Sequence, residues 1–103
     1  MNARTQLKRM SERAAEAEGF LQMFANRHRL MILCSLLEQE RSVGELALLL
    51  GIAQPNVSQH LFKLKSQGMV ASRREGTSIY YSIGDGDVRG MIDMLYRRFC
   101  QAR

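Results

Sequence analysis

A chain of 103 residues is the length of one domain, and we expect residues 1–103 to form a single domain whose small core a dimer interface helps to complete. Twelve of its fifteen cations are arginine and its net charge is +5, which suits a phosphate backbone or an anionic membrane surface because arginine donates paired hydrogen bonds to phosphate. No stretch approaches about 18 uncharged apolar residues and residues 1–13 lack the apolar centre of a signal peptide, so we expect no membrane partner and a cytoplasmic location.

The first third of the chain has the apolar periodicity of two helices. Apolar residues recur on one stripe from about Thr5 to Phe24, which predicts a long first helix. Asn26 is a favourable N-cap for a second helix that runs to about Glu38. The apolar stripe of this second helix is so wide that we expect most of its surface to be buried.

Two short helices joined by a tight turn follow. Ser42 and Glu45 have the spacing of a capping box, so a third helix begins there and runs to about Leu50. Gly51 ends it by supplying a left-handed residue. Pro55 suits the first position of a fourth helix that continues to about Gln67.

The remainder predicts a β-hairpin and a last helix. Segments 69–74 and 77–83 are typical of two strands around a turn at Glu75-Gly76. Asp85 or Asp87 caps a final helix with helical apolar spacing as far as Phe99. The expected fold class is therefore mainly α with a β-hairpin wing, in the order ααααββα, a winged helix-turn-helix.

The third and fourth helices form the helix-turn-helix, and the fourth carries groups that can read bases. Amide side chains pair with adenine edges, while hydroxyl and ammonium groups bond bases or phosphates. The residues expected to contact DNA from this helix are Gln54, Asn56, Ser58, Gln59, His60 and Lys63. For His60, packing is the alternative role. Those expected to contact DNA from the wing are Arg73, Arg74 and Thr77. A solvated helix face and an ordinary edge hairpin protected by charge are the plainer interpretations.

Several segments together resemble the ArsR family of winged-helix repressors. The segments are Gln54-Pro55-Asn56-Val57-Ser58-Gln59-His60-Leu61, Gly68-Met69-Val70, Asn26-Arg27-His28-Arg29-Leu30, Arg73-Arg74-Glu75-Gly76 and Tyr80-Tyr81-Ser82-Ile83. The resemblance extends over roughly residues 15–100. It implies a symmetric homodimer, built from the first and last helices, that binds double-stranded operator DNA and dissociates when a signal is sensed.

A metal is a poor candidate for that signal. Metal sensors of the family use a Cys-x-Cys pair in the third helix, or Asp and His ligands on the last helix. The third helix here has no cysteine, and the last helix has Asp87 and Asp93 but no histidine. Zinc prefers four nitrogen or sulfur ligands in a closed site, and we expect neither a metal site nor a cofactor. A metal-responsive repressor is the least favoured alternative.

The two cysteines are better candidates. Cys34 lies in the second helix, where a buried apolar role is its plainer interpretation. Cys100 closes the last helix near Arg97, Arg98 and Arg103, cations that favour the reactive thiolate. This pair resembles the dithiol branch of the family that senses reactive sulfur species. The resemblance implies that persulfide or polysulfide is the covalent inducer and that sulfur atoms bridge Cys34 and Cys100.

Three other functions stay open. A disulfide formed by peroxide between the same cysteines is the close rival. A thiol oxidoreductase needs a Cys-x-x-Cys motif or a cysteine–histidine pair in sequence, and the chain has neither, so we expect no catalytic residues. A basic scaffold without sequence preference fits the charge but not the amide-rich fourth helix.

Overall fold

The computed structural model describes residues 2–101 and contains five helices and three strands within that range. In chain order these are α1 (Ala3–Phe24), α2 (Arg27–Ser35), β1 (Arg41–Ser42), α3 (Val43–Leu50), α4 (Gln54–Ser66), β2 (Val70–Glu75), β3 (Ser78–Ile83) and α5 (Gly86–Phe99). The predicted winged helix-turn-helix is confirmed, with β1 as an addition. Among residues 2–101, no helix combines the length and apolarity needed to cross a bilayer.

Local capping interactions set the helix boundaries near the predicted positions. The Asn26 side chain accepts a hydrogen bond from the Arg29 N–H. Both halves of the predicted capping box form, because Ser42 Oγ accepts from the Glu45 N–H while Glu45 Oε1 accepts from the Ser42 N–H. Gly51 ends α3 with a φ of 67°, the left-handed conformation that glycine adopts without strain. These predictions are confirmed.

The second helix is shorter than predicted, ending at Ser35 rather than near Glu38. Its last turn tightens, because the N–H of Leu37 bonds three residues back to the Cys34 carbonyl. Side chains from two other elements donate hydrogen bonds to the carbonyl oxygens at this end of α2. Arg41 Nε donates to the Ser35 oxygen at 2.8 Å, and Arg89 Nη1 donates to the Leu37 oxygen at 2.8 Å. The C-terminal end of α2 is thus tied to β1 and to α5.

The wing is a three-stranded antiparallel sheet rather than a hairpin alone. Strand β1 has only two residues, with Arg41 opposite Tyr81 and Ser42 opposite Tyr80, giving the order β1-β3-β2. The turn between β2 and β3 lies at Gly76-Thr77, one residue later than predicted. Two residues are too few for an alternating pattern to be recognised, so the sequence predicted no strand here.

The core lies between α4 and its neighbours. In the described part of the chain, twelve apolar side chains are buried: Phe24, Ile32, Leu33, Leu36, Leu46, Val57, Leu61, Leu64, Met69, Val70, Val88 and Ile92. Three of them are the predicted stripe of α4, whose opposite side therefore faces outward. The expectation that most of α2 is buried is only partly correct, since Met31 is 48% exposed. The apolar stripes of α1 and the end of α5 also stay uncovered in the single chain, at Leu7, Met10, Leu21, Met94 and Phe99.

Candidate DNA-binding surface and cysteine cleft

Five of the six predicted contact residues on α4 lie on its solvent side. Because the buried stripe anchors α4 against the core, the side chains of the other faces point away from the protein. Gln54, Asn56, Ser58, Gln59 and Lys63 are all exposed. The surface combines amides, a hydroxyl and an ammonium group, which can pair with base edges and phosphates in a major groove.

His60, the sixth residue, lies against α2 instead. Its ring meets the ring of His28 edge-on, with centroids 5.7 Å apart. His60 Nδ1 is buried without a hydrogen-bond partner in the described part of the chain. Burial lowers the pKa of His60, and the cations of Arg29 and Lys63 and the neighbouring His28 lower it further. Of the two roles that the sequence left open, this arrangement favours packing. Nothing in the sequence spacing pointed to His28 as its neighbour.

The pairing of the wing strands separates its two arginines. Residues opposite each other in an antiparallel pair share a face, and consecutive residues alternate between faces. Ser72 lies opposite Tyr81, so Arg74, two residues further along β2, shares their face. Lys65 Nζ of α4 donates to Ser72 Oγ at 2.6 Å, which identifies this face as the one toward α4. Arg74 therefore lies on the same side of the wing as the predicted reading helix.

Arg73 lies on the opposite face and is held by acidic groups. It forms ion pairs with Glu40, in the segment before β1, and with Glu75, at 2.7 Å in the second case. Its guanidinium also lies 5.0 Å from the ring centroid of Tyr80, the residue opposite it in β3. These carboxylates raise the pKa of Arg73. Arg73 thus braces the wing against the α2–β1 connection, while Thr77 is exposed at the turn.

An aromatic side chain that the sequence did not single out stands on the outer face of α4. Phe62 is 76% exposed. It borders a cleft of about 530 Å³ between α4 and the wing, lined also by Ser58, Lys65, Ser66 and Tyr81. Its position outside the stripe formed by Val57, Leu61 and Leu64 is the sequence signal that could have revealed it.

The two cysteines lie at one end of the molecule, where α2 meets the end of α5. Cys34 is half-buried and borders a cleft of about 380 Å³. The cleft is lined otherwise by Leu37, Glu38, Arg89, Asp93, Tyr96 and Gln101. Cys100 follows α5 directly, is exposed, and donates its backbone N–H to the Tyr96 carbonyl at 2.8 Å. Both residues are free thiols.

The surroundings of the two thiols differ. Burial raises the pKa of Cys34, and the negative charge of a Cys100 thiolate raises it further. Of the cations expected near Cys100, Arg97 is exposed, and Arg98 lies 5.6 Å from the ring centroid of Phe99. Arg103 lies outside the described residues. A bridge between the cysteines therefore needs an exposed thiol to react with a half-buried one.

The described residues also bear on metal binding. Within residues 2–101 the structure contains no group of three or more His, Cys, Asp or Glu residues arranged to hold an ion. Asp93 lines the cysteine cleft, whereas His28 and His60 meet at the interface of α2 and α4.

Comparison with known proteins points to a family of regulators. The model of the bacterial regulatory proteins of the arsR family matches residues 26–72, from the N-cap of α2 into β2. The transcriptional activator HlyU of Vibrio cholerae is 42% identical over 96 residues, which are 93% of this chain and 89% of HlyU.

Solved structures agree over nearly the whole chain. Reduced HlyU from Vibrio cholerae superposes with a TM-score of 0.86 at 40% identity, covering 91% of this chain and 99% of HlyU. The transcriptional repressor BigR from Xylella fastidiosa superposes with a TM-score of 0.81 at 37% identity, covering 92% of this chain and 97% of BigR. These relatives are transcriptional regulators, not enzymes, and they include both an activator and a repressor.

Proposed function

Because the chain belongs to the ArsR family of bacterial regulatory proteins, we propose that it represses transcription and releases operator DNA when Cys34 and Cys100 react with reactive sulfur species. That it is a DNA-binding regulator follows from the family. The proposed response to reactive sulfur species is supported by the location of two free thiols at the same end of the molecule, where α2 meets the end of α5. In a reducing cytoplasm, where we expect the protein to act, both thiols remain free until an inducer arrives.

In the DNA-bound state, α4 lies in the major groove and the wing reaches the neighbouring backbone. Gln54, Asn56, Ser58, Gln59 and Lys63 supply base and phosphate contacts from the exposed face of α4. His60 supports this helix from behind, through His28. On the wing, Arg74 faces the DNA and Thr77 borders it, whereas Arg73 is held on the opposite face by Glu40 and Glu75.

We propose a homodimer of single-domain protomers. The uncovered apolar residues of α1 and α5, including Met10, Leu21 and Phe99, need a partner surface, and a second copy supplies one. Two recognition helices related by a two-fold axis predict a palindromic site with half-sites about 10 base pairs apart. Anisotropy titrations of such a duplex and of a random duplex at physiological salt test this. Equal affinities would rule out a specific repressor.

The exposed thiol of Cys100 reacts first with a persulfide, RSSH. The Cys100 thiolate attacks the outer sulfur, forms a Cys100 persulfide and releases RS⁻. The same reaction converts Cys34. The terminal sulfur of the Cys34 persulfide anion then attacks Cys100 Sγ and expels HS⁻, which closes a trisulfide. Two sulfane sulfurs are consumed: one remains in the bridge and one leaves as hydrosulfide.

The bridge acts on the parts that hold α4. Helix α2 packs behind α4 through Ile32 and Leu33, and α5 contributes to the proposed dimer interface. The two elements already meet at the Arg89–Leu37 hydrogen bond, so a new bond beside it changes their angle. Shifting the bound population from 99:1 to 1:99 requires about 5.5 kcal/mol. A covalent link typically contributes about 2–4 kcal/mol, which is most of that requirement, whereas one exposed contact contributes about 0–1 kcal/mol.

Replacement of one cysteine at a time tests the mechanism. Cys34→Ser and Cys100→Ser should each bind DNA as the wild type does and fail to release it when polysulfide is added. Each variant is the matched control for the other, since one thiol remains available in both. The mass of treated wild-type protein should rise by about 30 Da for a trisulfide, one sulfur gained and two hydrogens removed. No crosslinked dimer should appear on a non-reducing gel.

Two results would overturn this assignment. A single-cysteine variant that still releases DNA on polysulfide treatment would exclude the bridge. A wild-type protein that forms only a plain disulfide, with a mass loss of about 2 Da and only with peroxide, would identify an oxidant sensor instead.

A further inference from the structure

Phe62 is an unusual residue on the surface of α4. Burial of a phenylalanine side chain is favourable by roughly 1.5–3 kcal/mol relative to exposure, yet Phe62 is 76% exposed. On the same helix, Val57, Leu61 and Leu64 are completely buried. The ring is therefore not part of the core, and it is free to contact a partner from outside the chain.

The position of Phe62 places it among the predicted base contacts. It follows Ser58 by four residues and Gln59 by three, so all three belong to one side of the helix. The helix rises about 1.5 Å per residue, which puts Phe62 about 4.5 Å beyond Gln59 along the axis. Stacked base pairs are about 3.4 Å apart, so an offset of this order is sufficient for the two side chains to reach different base pairs.

The groups around Phe62 indicate which partner it meets. The cleft beside it is lined by the Lys65 ammonium group and by the hydroxyl residues Ser58, Ser66 and Tyr81. Lys63 is the next residue along the chain. Lys63 and Lys65 make this face cationic, so two copies of the face repel each other, whereas a polyanion is attracted to it. The surface is also continuous with the recognition face of α4.

We propose that Phe62 contacts the 5-methyl group of a thymine in the major groove, at the base pair next to the one that Gln59 reads. The thymine methyl is the one apolar group that the major groove presents, and aromatic side chains pack against it. This inference rests on the proposed function and adds a specificity-determining residue to it. The ring excludes water from the methyl group, while the cleft residues hold the adjacent backbone.

Deoxyuracil substitution removes that methyl group without altering the hydrogen-bonding edge. The probe is a duplex selected with reduced wild-type protein from a random pool, in which each thymine is then replaced in turn. At one thymine of each half-site, replacement should weaken wild-type binding about fourfold, the effect of burying one methyl group. Phe62→Ala removes the contact in both half-sites, so it should bind the thymine duplex about sixteenfold more weakly and should show no further weakening with deoxyuracil. Phe62→Leu should retain part of the discrimination.

Leu48→Ala is the matched control, because Leu48 is 88% exposed on α3 and does not line the cleft. It should keep the full deoxyuracil effect. Thermal unfolding and sedimentation of each variant should match the wild type, and a Phe62→Ala variant with altered oligomeric state would overturn the DNA contact in favour of a chain–chain interface. An unchanged deoxyuracil effect in Phe62→Ala would refute the contact alone. A selection that yields no consensus would refute the specific repressor and the contact together.

Discussion

Arg74→Ala should weaken DNA binding because it removes from each protomer one positive charge that interacts with a phosphate. The structure puts Arg74 on the α4 side of the wing, exposed and in register with Ile79. Removing one interaction with a phosphate lowers the slope of log K against log salt by about 0.9. A dimer has two copies of Arg74, so Arg74→Ala should reduce the slope by about 1.8, or about one unit per protomer.

Anisotropy titrations at several salt concentrations measure this slope directly. Between 50 and 200 mM salt, the affinity of the wild type should fall about twelvefold more than that of Arg74→Ala, from a slope difference of about 1.8. At fixed salt, the weakening caused by Arg74→Ala should be alike for specific and random duplexes, since phosphates carry no sequence.

Arg73→Ala is the control on the other face of the same strand. The positive charge of the Arg73 guanidinium is already neutralised by Glu40 and Glu75. Arg73→Ala should therefore change the salt slope less than Arg74→Ala does. Equal slope changes for the two variants would refute the assignment of faces. A change of base preference in Arg74→Ala, with an unaltered slope, would refute the phosphate contact.

Four further results are expected. Gln59→Ala should relax base preference at a cost of about 1–3 kcal/mol, measured as affinity for matched and singly altered duplexes. The fold lowers the pKa of His60, so the unfolded chain binds the proton first as the pH falls below the ordinary value of 6.5. The free energy of unfolding, measured by urea titration, should therefore decrease as the pH falls through that range. His60→Gln should reduce this dependence of the free energy of unfolding on pH. Iodoacetamide should modify exposed Cys100 faster than Cys34, whose thiol pKa is raised by burial, and peptide mass spectrometry that found equal rates would contradict this. Leu61→Ala, at a fully buried position, should lower the free energy of unfolding by about 2–5 kcal/mol in urea titrations.

Apart from the C-terminal end of α2, the helix boundaries were predictable from the sequence, as was the identity of the reading helix. Caps act within one helical turn, so Ser42 with Glu45, and Gly51 after α3, determine these ends wherever the helix lies in the fold. The buried stripe of α4 likewise follows from helical period, and it determines which side of α4 is left for DNA. The exposure of Gln59 and Lys63 could therefore be predicted without knowledge of the tertiary structure.

By itself, then, the sequence determined what short-range chemistry controls: the order of the five helices and the two hairpin strands, the helix-turn-helix and the outward face of α4. Only the tertiary structure decided which distant residues meet. The pairing of β1 with β3, the contact of His28 with His60, the holding of Arg73 by Glu40 and the cleft beside Cys34 all join different elements. Such contacts depend on how the chain returns on itself through the core, and no local period or cap records that path.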